Sequence, residues 1–297
     1  MNKLRIVTGL LLVCLIGLLG TAVAFGAAIE KTVAPKTAET VIRDAQFGER
    51  VSKVIPEAIK NNPSTPETGS IPTEYLKKIV AQALPPAAIE AMALSTATGV
   101  INYVRGDQAT VSKIDFSPIK DRAVAAAKKD VPGMAGGQLS TFIETEFAKA
   151  GLAKGWEIPA QPLNQARQAF SWLRPIVGYG VGGIVLVLTL LFAVASSRTQ
   201  IRLYWCGAAL IAAGLLSAGL AWLFSSFFVQ ASYSSSANTP PEISALIKDA
   251  LIIFSRIFSI NVGVASGVLA AVGAVLIAIA FLLFKKAPTV VLADPQP

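Results

Sequence analysis

The sequence predicts an all-α membrane protein: a helical extracytoplasmic domain followed by a transmembrane helix bundle. Three observations predict it. Pro175–Val194, PIVGYGVGGIVLVLTLLFAV, runs twenty residues without a charge, enough for a helix to cross a hydrocarbon core of about 30 Å. Only 15% of all residues are charged and mean hydropathy is +0.58, whereas a soluble domain carries about 25% charged residues. Between residues 29 and 174, finally, apolar side chains recur at 3- and 4-residue steps in a polar background, the pattern of amphipathic helices that pack on one another.

Charge is unevenly placed. Glu30–Trp172 holds 17 Lys+Arg against 15 Asp+Glu, so most of the net +8 comes from residues that flank apolar runs. Basic flanks of that kind orient spans by the positive-inside rule, and they do not make a nucleic-acid surface. The chain has no histidine, which removes the commonest general base and metal ligand and every Ser-His or Cys-His pair. Cys14 and Cys206 both lie in apolar runs, which excludes a disulfide scaffold or a cysteine zinc site in the polar region.

Met1–Arg5 is short and basic, and Ile6–Ala28 is continuously apolar. Residues 1–28 read either as a signal peptide with a small-residue site at Ala22-Val23-Ala24 or as an uncleaved transmembrane anchor. Val13 ahead of Cys14 argues against a lipoprotein signal. Glu30–Ala38 reads as a polar connector containing Pro35.

From Glu39 a helix is expected with Phe47, Val51, Val54, Ile55, Ala58 and Ile59 on one face, stopped by Asn61-Asn62-Pro63 and a Ser64–Ser70 loop. A second begins at Pro72 and carries Tyr75, Leu76, Ile79, Val80 and Ala83. Pro85-Pro86 restarts the chain into a third, with Ile89, Met92, Thr96, Val100 and Tyr103, which ends at Gly106. Thr110–Phe116 alternates with period 2 and is a short strand or an extended connector without an evident pairing partner. Ser117-Pro118 reads as an N-cap with a first-turn proline. Pro132-Gly133 and Gly136-Gly137 read as a loop, Gln138 opens a helix that closes at Gly151, and after Pro159 and Pro162 a last helix leads to the membrane.

Three spans are expected at about 175–195, 203–229 and 259–284, or four if the first is retained. An external amphipathic helix at about 241–258 runs without a breaker into the last span, and residues 287–297 form a short cytoplasmic tail. With four alternating spans, Lys3, Arg5, Arg198, Arg202, Lys285 and Lys286 share one side, the cytoplasm. Only Arg174 stands against the pattern.

Val177-Gly178-Tyr179-Gly180 shares four letters with a potassium-channel filter, but a filter needs a pore helix and an extended loop, and these glycines lead straight into an apolar helix. Gly178 with Gly182, and Gly263 with Gly267, form GxxxG. They are expected to bring helix backbones together within the bundle, or else between two copies of the chain. Ala208, Ala212 and Gly214 are expected to help in the third span. The core spans lack Asp, Glu, Lys and Arg, which disfavours coupled transport and proton pumping. Glu144, Glu146, Asp107 and Asp115 read as surface charge rather than a hydrolase pair. Gly133–Gly137 lacks the strand and Lys-Ser/Thr pair of a phosphate loop. No catalytic, metal or cofactor motif is recognised.

Leu84-Pro85-Pro86, Tyr103-x-Arg-Gly-Asp, Ile114-Asp-Phe-Ser-Pro-Ile-Lys and the glycine-rich spans resemble an uncharacterised group of bacterial multi-span membrane proteins with an N-terminal helical extracytoplasmic domain. The resemblance covers roughly Glu39–Phe284 and implies no activity. The functional expectation is a non-enzymatic envelope protein whose external domain binds a partner or envelope component. The alternative is a transport or channel component for a neutral solute. Expected partners are the lipid bilayer and an envelope protein or a second copy, and not nucleic acid.

Overall fold

The computed structural model describes residues 3–60, 73–111, 113–131, 134–149, 155–195, 198–231 and 241–285. Among the described residues α-helix is the regular secondary structure, apart from one isolated β-bridge. In chain order the helices are α1 (Lys3–Thr32), α2 (Pro35–Asp44), α3 (Phe47–Lys60), α4 (Thr73–Ala83), α5 (Pro86–Arg105), α6 (Ser117–Asp130), α7 (Met134–Lys149), α8 (Ala160–Ala195), α9 (Thr199–Ala231) and α10 (Pro241–Lys285). They fall into two compact units, one of Met1–Lys31, Trp172–Ser225 and Phe258–Pro297, the other of Thr32–Ser171 and Ser226–Ile257.

Among the described residues, four helices are long and apolar enough to cross a bilayer: Val7–Thr32, Ala160–Ala195, Thr199–Phe227 and Pro241–Leu283. The chain thus has the helices of a multi-pass membrane protein. Their contacts fix their relative directions. Along α1 and α8, Gly26 meets Val177, Val23 meets Gly180 and Leu19 meets Gly183, so one number rises as the other falls and the pair is antiparallel. Gly207 opposite Gly273 and Gly214 opposite Ser266 make α9 and α10 antiparallel as well. Gly20 against Ala213, Thr21 against Ser217 and Phe25 against Phe224 rise together, so α1 and α9 are parallel. The four helices alternate. The start of α1, the turn between α8 and α9 and the close of α10 therefore share one end, where Gln200 Nε2 donates to Leu283 O at 3.1 Å.

The core of this unit joins Ile16, Ile184, Val187, Leu191, Leu210 and Ala213, with Leu269 and Leu276 of α10 packed on it. Phe25, Phe224 and Phe258 meet edge to face or tilted, with ring centroids 5.7–6.3 Å apart. At the end opposite the α8–α9 turn, Arg174 pairs with Glu30 at 3.5 Å. The one cation that breaks the charge pattern of the flanks is thus matched by an anion.

The second unit has its own core. Ile79 and Ala83 of α4, Ala123, Ala126 and Ala127 of α6, Val131, and Leu139 of α7 are buried together, with Ile119, Phe142 and Ile143 against them. Helices α2 and α3 pack on α5.

Several boundaries differ from the sequence expectation. The polar connector at Glu30–Ala38 is largely helical: α1 runs to Thr32 and α2 starts at Pro35, since proline at the first helical position gives up no bond. The expected helix from Glu39 is two helices, broken at Ala45 and Gln46, where Gln46 takes a left-handed φ of 53°. Gly136 and Gly137 lie inside α7 rather than in a loop. A Cβ at Gly136 would come 2.5 Å from Val131 O, so that glycine serves a close return of the chain. Pro175 does not start a new helix but sits inside the 36-residue α8; a helix tolerates proline where neighbouring groups take up the freed carbonyl. The expected stops at residues 61–70, Pro72, Pro132-Gly133, Gly151, Ser196-Ser197, Lys286 and the tail 287–297 lie outside the described residues.

Candidate functional site

The four glycines singled out as helix-packing positions face no other helix of the same chain. A Cβ built at Gly178, Gly182, Gly263 or Gly267 meets nothing within 4 Å. The expectation of intramolecular packing at these positions is therefore corrected. Gly178 and Gly182 share their outward face with Tyr179, Val181 and Val185, all exposed. The close approaches are made one or two residues away. Gly180 and Gly183 receive Val23 and Leu19, while Gly207, Gly214 and Gly273 lie against backbone, a Cβ at each standing 2.5–2.6 Å from a carbonyl oxygen of the facing helix. Ala212, expected at the third-span contact, is exposed.

Why the expectation failed is physical. Val177–Gly183 carries glycine at four of seven positions, so GxxxG spacing alone cannot say which face turns inward. The seven-residue steps Gly207–Gly214 and Ser266–Gly273 are the signal that was missed: two helical turns, the repeat of a left-handed antiparallel pair.

In the second unit a half-open cavity of about 220 Å³ is lined by the turn after α1 together with α2, α5 and α10. The chain leaves α1 through Thr32-Val33-Ala34, where Ala34 N donates to Thr32 O at 2.9 Å and Ala34 is extended, as the residue before a proline must be. This turn aims α2 across α5. Val41 and Ile42 of α2 then face Ala97 and Ile101 of α5, with Val33 and Phe254 completing the apolar wall. Thr32 and Thr37 are the polar residues of the lining, and both are buried.

Arg105, one turn beyond Ile101 on the same face of α5, stands at the rim. Its Nη1 donates to Val33 O at 2.9 Å, its Nε reaches Asp107 at 3.3 Å, and its guanidinium lies 5.7 Å from the Phe170 ring centroid. Helix α5 ends there because Gly106 takes φ 82° and Asp107 N donates to Asn102 O at 2.8 Å, the left-handed termination that glycine permits. Tyr103 donates its hydroxyl proton to Asn164 Oδ1, and Arg167 covers the Tyr103 ring at 4.8 Å. Arg105-Gly106-Asp107 is thus a helix terminus with an anchored arginine. Composition gave no hint of that role.

The period-2 stretch also finds a partner. Ile114 and Trp156 exchange both backbone bonds at 3.0 Å in an antiparallel bridge. Beside it, Lys113 pairs with Glu157 at 2.7 Å, and the lysine's hydrogen bond and charge hold the Glu157 carboxyl below its ordinary value. Ser117 is the first residue of α6 and not its N-cap, which is Phe116; Asp115 Oδ1, just before the helix, accepts from Ser117 N at 2.9 Å, and hydrogen bonds from Ser117, through its side chain and then its backbone, lower the Asp115 pKa. Glu146 pairs with Lys149 at 2.8 Å. Among the described residues, no three or more His, Cys, Asp or Glu are grouped so as to hold a metal ion.

Arginine and apolar wall together can hold an apolar body with a polar end. No protein-family model matches the chain, and neither a curated protein nor a solved structure is similar to it.

Proposed function

We propose that this chain is a non-enzymatic, multi-pass protein of a bacterial cell envelope, whose helical domain at about residues 29–174 lies outside the membrane and binds a partner or envelope component. The observation that carries this reading is the cavity between α2 and α5, an apolar hollow in a unit whose other half, around Leu139 and Ala127, is solidly packed. In this reading α1 is kept as an anchor. It supports that view that α1 touches α8, α9 and α10 through Gly26, Gly20 and Leu19, because removing it would strip the bundle of a shared wall.

The basic ends of the alternating helices face the cytoplasm in this reading. Transport of a neutral solute is less well supported, since the α9–α10 seam is closed by backbone against backbone at Gly207 and Gly273. The test is crosslinking of the full chain in its native membrane, followed by purification. A component captured through residues of α2 and α5 supports the proposal. Solute flux in liposomes without any such component would replace it with the transport reading.

A further inference from the structure

We propose that the α2–α5 cavity holds the acyl chain of an anionic amphiphile, with Arg105 at its rim placing the acidic head. This deepens the binding role proposed above and rests on it. Three features carry it. The first is the wall: Val33, Val41, Ile42, Ala97, Ile101 and Phe254 offer only hydrocarbon, and about 220 Å³ accommodates roughly seven methylenes at a water-like ~30 Å³ each. Packing gains nothing from an apolar hollow left unfilled, because its walls forfeit the dispersion contacts that an occupant would supply.

The second is location. Thr32 lines the cavity and is also the last residue of the apolar helix Val7–Thr32, whose final turn carries Glu30 and Lys31. Charges at the close of an apolar helix mark the headgroup level, and the lining of the hollow starts one residue further along the chain. The third is charge. Arg105 is fixed against Val33 O, on the cavity wall, with its side chain only 19% exposed. A guanidinium held in that way suits a carboxylate or phosphate better than a neutral head. Asp107 shares that arginine, so the preference for an anion is a bias and the chain supplies most of the affinity.

The experiment uses the full chain in phosphatidylcholine nanodiscs, with photoactivatable palmitic acid and photoactivatable phosphatidylglycerol as separate probes. Crosslinks on residues 33–42, 97–101 and 254 are expected, in excess of those on the outward face of α8 at Leu186 and Leu190. Filling the hollow from either side, with Ala97→Phe or Ala38→Leu, is expected to bring the cavity crosslinks down to the α8 level and leave the α8 crosslinks unchanged. Two variants from opposite helices, each checked by circular dichroism, separate loss of the cavity from loss of the fold.

Short carboxylic acids competing with the probe are expected to gain about fourfold per added methylene and to level off near seven. Octanoate is expected to compete better than octanol in the wild type and in Arg105→Lys, and no better in Arg105→Gln. Labelling by either probe supports the proposal, and which one labels identifies the source of the chain. Cavity labelling that never exceeds α8, or that persists in both filled variants, overturns it. If a captured protein still crosslinks to α2 and α5 in that case, the amphiphile fails while the binding role stands.

Discussion

The two units of this protein differ in what presses their helices together. In the apolar bundle, the closest helix approaches are made where side chains are missing: Gly207 and Gly273 face each other's carbonyls, and Gly180 and Gly183 accept Val23 and Leu19. The polar unit also makes such an approach, at Gly48 against Pro86 O, but its core is filled by Leu139 and Ile79 set among Ala83, Ala123, Ala126 and Ala127. Their solvents explain the contrast. Water drives apolar stripes together whatever their fine shape, so α4, α6 and α7 need only size and pattern. Lipid is as apolar as leucine and supplies no such force, so bundle helices gain by close backbone approach and dispersion. A unit driven by water can tolerate a hollow on one flank and still fold, as the α2–α5 cavity illustrates.

The comparison can be broken most forcefully in the polar unit. Leu139→Ala should cost about 2–5 kcal/mol, the range for truncating a buried leucine, and hydrogen exchange should locate the loss in α4, α6 and α7. The bundle comes next. Gly207→Leu or Gly273→Leu drives a side chain into a facing carbonyl and should cost about 1–3 kcal/mol or more by overpacking, read as a lowered melting temperature in nanodiscs. Gly178→Leu and Gly267→Leu, at positions open on the outside, should stay within about 0.5 kcal/mol. Equal effects at Gly178 and Gly207 would erase the distinction between inner and outer glycines.

Smaller effects sharpen the picture at the surface. Arg50→Gln removes the ion pair with Asp249, and because both side chains are about 40% exposed it should cost less than about 1 kcal/mol. Asp115 offers a pH signature. Its carboxyl is held below its ordinary value by Ser117, so the bond's contribution is complete above the unfolded-state pKa and is lost as pH falls through the lower folded one. An NMR titration should place its midpoint below that of an unstructured aspartate, and Asp115→Asn should flatten this part of the acid limb of stability.

Much of this architecture was legible in the sequence. Long uncharged runs announce apolar helices because the membrane filters for little else, and Gly106 announced the end of α5 because a left-handed residue is needed there. Other features depend on what a residue meets far away in the chain. The break at Ala45 and Gln46 follows from α2 and α3 both packing on α5, and no local residue type demands it. Ile114 could not be paired from its own alternation, since its partner Trp156 stands alone. The rotation of α8, which turns Gly180 inward and Gly178 outward, is set by Val23 on α1. Arg105 acquires its place through Val33 and Phe170, neither of which advertises a charged partner.

The account rests on alternating spans that put residues 29–174 on one side of a bilayer and the basic helix ends on the other. The direct measurement is impermeant-maleimide labelling of intact cells carrying Gln108→Cys or Gln296→Cys in a chain whose Cys14 and Cys206 are replaced by serine and alanine. The account predicts that position 108 reacts on intact cells and that position 296 reacts only after lysis. Labelling at 296 with 108 protected would contradict it.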